Sequence, residues 1–311
     1  MWEQLVNIEL FGAMVRLTTP LLLISLGALI VWRAGIINLA LEGFILLGAL
    51  SATLGTLWAD GSLLIGFTIA VLTCALLGIA LAVAIVSFGA NQIVTGIAFN
   101  IGMLGLTDYM SSVAPGMLNT NGLRTAIIPN LPLPVLSDVP VVGPVFFDQS
   151  PMFYFAVIST LVVGYVFKQT GIGIAIRAVG ENARAADTAG ISVSRIRFFT
   201  FVISCVYAGL AGAFLSIGYL GTFISGMSSG QGYIALVIVI LGQWTAIGTL
   251  FAALLFGLAQ ALVVRWPSNL TSFPIELITA LPYILTLGIV ALVSKARGPE
   301  EEGIHYIRGK R

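Results

Sequence analysis

Three polar stretches interrupt an otherwise apolar chain, and any chemistry would have to be done there. The first, Arg33-Ala-Gly-Ile-Ile-Asn-Leu-Ala-Leu-Glu-Gly43, brings a guanidinium, an amide and a carboxylate close together. Gly35 permits a tight turn, Asn38 is placed to cap the helix that follows, and Glu42 falls in that helix's first turn, where the dipole favours a carboxylate. Two roles are open for Glu42. It is either an electrostatic cap near the membrane surface or a buried acid that pairs with Arg33 or gates a translocation path. The second stretch, Asn91-Gln-Ile-Val-Thr-Gly-Ile-Ala-Phe-Asn100, sets Gln92, Thr95 and Phe99 on one helical face, with Met103 a turn further and Asn100 just beside it. Neutral amides and a hydroxyl suit a polar, uncharged solute better than an ion; they equally suit hydrogen bonds between membrane helices. The third stretch runs from Gly221 to Gly248 and carries Thr222, Ser225, Ser228, Ser229, Gln231, Tyr233 and Gln243. Its glycines permit broken helices, which transporters use near substrate.

Covalent chemistry finds no footing. There is no G-x-x-x-x-G-K-[ST] phosphate loop, and Lys168, Lys295 and Lys310 all stand in other contexts. There is no G-x-S-x-G nucleophile elbow. The single histidine, His305, is near the C-terminus, so a histidine metal cluster is excluded. Cys74 and Cys205 sit in apolar segments and read as small core residues. The acids Glu42, Asp108 and Glu276 lie near segment ends rather than forming the paired chain of a proton relay. If the chain drives transport, the energy comes from outside it.

The elements that position these residues are membrane helices. With 58% hydrophobic and 9% charged residues in 311, and a mean hydropathy of +1.05, the sequence describes an all-α polytopic membrane protein, one transmembrane domain over residues 1–311. Nine apolar segments are expected, near 13–32, 39–58, 62–88, 91–112, 151–167, 198–219, 231–243, 247–264 and 275–293. The seventh is short. It either starts earlier, within Gly226–Gly232, or is a half-helix dipping into the protein; a full crossing agrees better with the charges. The basic residues Arg33, Lys168, Arg177, Arg184, Arg195, Arg197, Lys295, Arg297, Arg308, Lys310 and Arg311 then share one side, and Arg16, Arg124 and Arg265 fall on the other. By the positive-inside rule the C-terminus (295–311) is cytoplasmic and the N-terminus, with Glu3 and Glu9, is outside. No cleavable signal peptide is expected. Residues 113–150, rich in proline, form an extracytoplasmic loop of irregular structure or short strands. The loop is either a lid packed on its own protein or a contact for a periplasmic or lipoprotein partner.

Residues 168–198 form a polar island that holds five of the fourteen basic residues. It must lie in water, on the cytoplasmic side. Within it, Glu181–Ala189 reads as a short helix with Asn182 as N-cap and Gly190 as stop. Two turns are too short to be stable alone, so either this protein or a partner's groove must hold them. A solvated connector between spans is the plain alternative.

Four runs, GIINLALEGFILLGA (35–49), NQIVTGIAFN (91–100), AIRAVGENARAADTAGISVSRIR (175–197) and ILGQWTAIGTLFAALLFG (240–257), occur in the order and spacing of a known family. The chain resembles the permease subunits of ATP-binding-cassette (ABC) importers in the branched-chain amino acid/ribose permease superfamily, over nearly its whole length. Asn-Leu-Ala-Leu-Glu-Gly (38–43) is most similar to the nucleoside-type, or simple-sugar, permeases. Ribose-type members carry Asp-Leu-Ser here and amino-acid types His-Gly. The resemblance further implies that the extra N-terminal span of ribose-type members is not to be expected here.

The resemblance implies a multi-pass protein of the prokaryotic cytoplasmic membrane, half of a pair of permeases and most often of a heterodimer. Two cytoplasmic ATPases would carry ATP and magnesium, and an extracytoplasmic solute-binding lipoprotein would deliver solute. The chain itself would bind no cofactor and no nucleic acid. Glu181, Asn182, Arg184 and Asp187 match the family's coupling helix. On this reading Gln92, Thr95, Phe99, Asn100, Thr222, Ser225 and Gln243 are candidates for the solute pathway, Phe99 and Tyr233 are candidates for stacking on a nucleoside, and Asn38 and Glu42 are structural or gating residues. The solute alternatives are a monosaccharide or an amino acid. The alternative from another class is an ion-coupled transporter or channel acting alone.

Overall fold

The computed structural model describes residues 8–113, 127–134, 137, 140, 143–265, 280, 282, 284, 287–288 and 298–306. The expected ninth segment, 275–293, falls largely outside them, as do half of the proline-rich loop and all five basic residues from Lys295 onward. The helices are α1 (Ile8–Trp32), α2 (Leu41–Trp58), α3 (Leu63–Ala82, continued as a π-turn over Val83–Ser87), α4 (Gln92–Val113), α5 (Pro151–Gln169), α6 (Gly171–Glu181), α7 (Ala183–Thr188), α8 (Val193–Ala213, continued as a π-turn over Phe214–Leu220), α9 (Gln231–Leu241) and α10 (Ala246–Arg265). The first eight expected segments each coincide with a helix. Seven of the described helices are long and apolar enough to cross a membrane, and α9, with 11 residues, is a shorter apolar helix.

α1 is the central pillar. Its sequence is apolar on every face, and a helix of that kind belongs inside a bundle; every residue from Leu17 to Trp32 is buried. The hydroxyls of Thr18, Thr19 and Ser25 donate to the carbonyls of Met14, Val15 and Leu21 one turn back, so they enter the core already satisfied. α8, α9 and α10 pack around it. Small residues set the approach. At Gly257 on α10 a side chain would overlap Thr18 Oγ1, and at Gly212 on α8 it would overlap the Ile45 carbonyl of α2. Ala208/Gly212 and Ala253/Gly257, small residues at four-residue spacing, thus lie where helices pack closely. Leu72, Leu76, Ile97, Ile101 and Leu161, on α3, α4 and α5, face outward and are exposed, as an apolar surrounding requires.

Of the proline-rich loop, the described part forms a two-residue antiparallel pair, β1 (Leu131–Pro132) with β2 (Asp148–Gln149), after a single π-turn at Gly143–Phe147. Val145 is buried against Leu10, Met14 and Phe153, so this part packs on its own protein.

The polar island is more helical than expected. α5 runs through Lys168 to Gln169, and α6 follows immediately, buried along Gly173, Ile176, Val179 and Gly180. Glycine, isoleucine and valine at that spacing give the helix one buried face, a pattern masked in sequence by the exposed Ile172 and Ile174.

Candidate functional site

Two helices begin inside the bundle rather than at its rim. Arg197, near the start of α8, donates from Nε to the Ala34 carbonyl (3.2 Å), while Asn38 Nδ2 donates to Ser204 Oγ (3.2 Å). Seven residues further along a helix is about 10 Å, so the linker between α1 and α2 climbs that far into the apolar layer before α2 starts at Leu41. α9 starts at the same depth. Between Gly221 and Gly230 the chain descends in turns, passing Ser225, whose Oγ donates to Asp108 Oδ1 (3.0 Å), before α9 begins. Its 11 residues rise about 16 Å, against a hydrocarbon layer of about 30 Å. The seventh segment is thus made half of turns and half of helix, which accounts for its shortness.

A helix N-terminus leaves N–H groups without partners, and in an apolar layer these must be satisfied. Each of the two is capped by a side chain from a neighbouring helix. Asn100 on α4 accepts from Gly43 N (2.8 Å) in the first turn of α2 and donates to the Leu39 carbonyl (2.8 Å). Glu42 on α2 accepts from Gly230 N (2.7 Å) and Gly232 N (2.8 Å) at the start of α9, and from Ser228 Oγ (2.6 Å). Asn100 Nδ2 also reaches Tyr233 Oη on α9 (3.1 Å), closing a ring of α2, α4 and α9. Phe44 and Phe99 stack beside it, with ring centroids 4.5 Å apart. Glu42 therefore neither caps its own helix nor pairs with Arg33. Asn38 acts upstream, where its Oδ1 accepts from Ala40 N (3.0 Å) and turns the linker.

Arg33 sits at the other end of α9. Its Nε donates to the Trp244 carbonyl (2.9 Å), and its Nη1 lies 3.9 Å from Glu181 Oε1. Burial pulls its pKa below the ordinary arginine value; Glu181 opposes that shift and Arg177 adds to it. Of the other pathway candidates, Gln92 is buried and accepts from Ile37 N (3.0 Å), holding the linker. Thr95 is half-buried one turn along α4 from Phe99. Thr222 and Ser225 lie above the ring in the descending turns, and Gln243 is exposed at the basic end, in a turn with φ 51°. The structure thus gathers Phe99, Asn100, Glu42 and Tyr233, and leaves Gln243 apart. Ser228 was visible only as a member of a polar run and Tyr233 only as a stacking candidate; no spacing marked them as partners of Glu42 and Asn100.

α7 is the expected short helix. Asn182 Oδ1 accepts from Ala185 N (2.9 Å) as its N-cap, Ala183 and Ala186 are buried with Val179 and Val193, and Arg184 is exposed. Asp187 is half-buried. The helix is held by this protein, and its free face carries Arg184.

Broken helices capped within a membrane bundle, with an exposed short helix between the spans, define a multi-pass transport subunit. The chain belongs to the branched-chain amino acid transport system / permease component family, whose model matches residues 10–290. It is a permease subunit, not an enzyme. It is 34% identical over 304 residues to the guanosine ABC transporter permease NupQ of Bacillus subtilis, covering 94% of each chain. To the nucleoside ABC transporter permease NupC of Lactococcus lactis it is 33% identical over 308 residues, covering 94% of this chain and 95% of the other. It is also 34% identical over 262 residues to the putative glucose ABC transporter permease TsgC13 of Haloferax volcanii, covering 82% and 77%. A second permease of the Bacillus strain, NupP, is similar over 79% of this chain at 29% identity, so relatives include paired subunits. No solved structure matches.

Proposed function

We propose that this chain is one of two related permeases of an ABC importer that carries nucleosides across the cytoplasmic membrane. The observation that carries this reading is end-to-end similarity to two nucleoside-system permeases, over 94% of the chain in both cases. A cytoplasmic ATPase, holding ATP and magnesium, docks on the exposed face of α7 around Arg184, with Glu181, Asn182 and Asp187 framing the contact. An extracytoplasmic binding protein delivers solute from the Asp60 and Asp108 side. The pathway follows the neutral side chains near the capped ring. Thr95, Phe99 and Asn100 are on α4, the exposed phenol of Tyr233 faces them, and Thr222 and Ser225 lie above. Phe99 or Tyr233 offers a ring on which a base stacks. Nucleotide binding brings the ATPases together, displaces α7 and biases the bundle between two states.

The test is reconstitution of both permeases with ATPase and loaded binding protein in proteoliposomes. ATP-dependent guanosine uptake, blocked by excess adenosine and unaffected by excess glucose, is expected. Competition by glucose alone moves the solute to a monosaccharide, and uptake that needs an ion gradient but no ATPase removes the ABC assignment.

A further inference from the structure

Residues Gly298–Tyr306 lie across the basic end of the bundle and fasten several elements to one another. Glu301 N donates to the Gly180 carbonyl in α6 (2.9 Å), and Glu301 Oε1 accepts from Ala183 N at the start of α7 (3.3 Å). Its Oε2 faces Arg197 Nη2 on α8 at 3.9 Å. Gly303 N donates to the Gly35 carbonyl in the α1–α2 linker (3.1 Å). Arg197, only 3% exposed, binds both sides of this junction, donating from Nε to Ala34 O (3.2 Å) and from Nη1 to Ile304 O (2.7 Å). Tyr306 packs on the cluster that buries α7.

The junction has no slack. Gly35 has φ 82°, and a Cβ there would meet Arg197 Nη2 at 2.9 Å and Glu301 O at 3.0 Å. A Cβ at Gly180 would overlap the Arg33 carbonyl. One end of this linker is therefore clasped to α7 through Glu301, and its other end carries Glu42, which caps α9.

We propose that Glu301 is the positioning residue that transmits motion of α7 to the Arg33–Glu42 linker, and through it to the broken helix α9. This rests on the reading of α7 as the ATPase contact. A push on α7 moves Gly180 and Ala183; Glu301 and Arg197 pass the displacement to Ala34 and Gly35; the extended linker carries it to Glu42. Packed junctions of this kind switch between discrete arrangements rather than stretch. Without Glu301, α7 still binds the ATPase but its motion is lost locally.

The experiment uses the full importer in proteoliposomes and reads the number of solute molecules carried per ATP hydrolysed. A residue that only supports folding changes the amount of complex, not this ratio. Glu301→Ala is expected to lower the ratio about tenfold, within the range of ordinary coupling energies, with ATPase co-purification unchanged. A wild-type ratio in Glu301→Ala overturns the proposal. If Glu301→Ala does not assemble, the isosteric Glu301→Gln decides in its place: a lowered ratio supports transmission through the Arg197 side, and a wild-type ratio overturns it. Failure of the unaltered permease to bind any ATPase is a different result, and it removes the importer reading itself.

Discussion

Arg33 and Glu42 take hold of opposite ends of the same helix. Glu42 accepts from Gly230 N (2.7 Å) and Gly232 N (2.8 Å) at the N-terminus of α9, and Arg33 donates to the Trp244 carbonyl (2.9 Å) just past its C-terminus. Both charges suit the helix dipole, negative at the start and positive at the end. The linker between them runs alongside α9 as a brace. An isolated helix of 11 residues is marginal, so this brace and the packing on α1 hold it.

Glu42→Gln leaves the shape but places an amide donor against backbone donors. A buried donor left unmatched costs about 1–3 kcal/mol. The purified variant should melt at lower temperature, and uptake should fall. Ser228→Ala, which removes one bond of the three, should have a smaller effect on both. Equal melting temperatures for wild type and Glu42→Gln would argue against the cap.

Asn100→Ala removes the bonds to Gly43, Leu39 and Tyr233 together, whereas Tyr233→Phe removes only the last. Interhelical bonds in membranes average about 0.6 kcal/mol each, and Asn100→Ala adds the cost of an unsatisfied α2 N-terminus. Thermal unfolding in detergent should rank Asn100→Ala well below Tyr233→Phe. In the double variant the Tyr233 loss should vanish, because its partner is already gone.

Arg184→Glu with Asp187→Arg inverts the charges on α7 while leaving its buried alanines in place. Membrane insertion should be normal and uptake abolished. Normal uptake by this variant would remove α7 as the ATPase contact.

Cys74 and Cys205 are fully buried, so the wild-type protein should not react with an impermeant maleimide. Arg184→Cys should be labelled only after cells are permeabilised, and Asp60→Cys, in the exposed turn after α2, in intact cells. The opposite pattern would invert the orientation taken from the basic residues.

Gly212→Val would force a side chain into the Ile45 carbonyl of α2. Overpacking of this sort costs about 1–3 kcal/mol. A reduced yield of folded protein is expected, whereas Gly102→Val, with open space around it, should be silent.

The sequence by itself determined the class of the protein. An apolar chain with its basic residues concentrated between segments permits little other than a helical membrane bundle, because only helices satisfy their own backbone in lipid, and the charge count distinguishes the two ends. It also determined α7, since Asn182, the alanines and Gly190 act within about two turns of each other. Tertiary structure alone decided what the polar residues do. Glu42, Asn100 and Gln92 read equally well as pathway or packing residues because their partners, Gly230, Gly43 and Ile37, lie 188, 57 and 55 positions away. Periodicity reports the face on which a side chain stands, and these caps depend on where a distant helix begins. The clasp of Glu301 and Arg197 was illegible for the same reason: its donors and acceptors are backbone atoms of Gly180, Ala183, Ala34 and Ile304, which every residue possesses and no sequence marks.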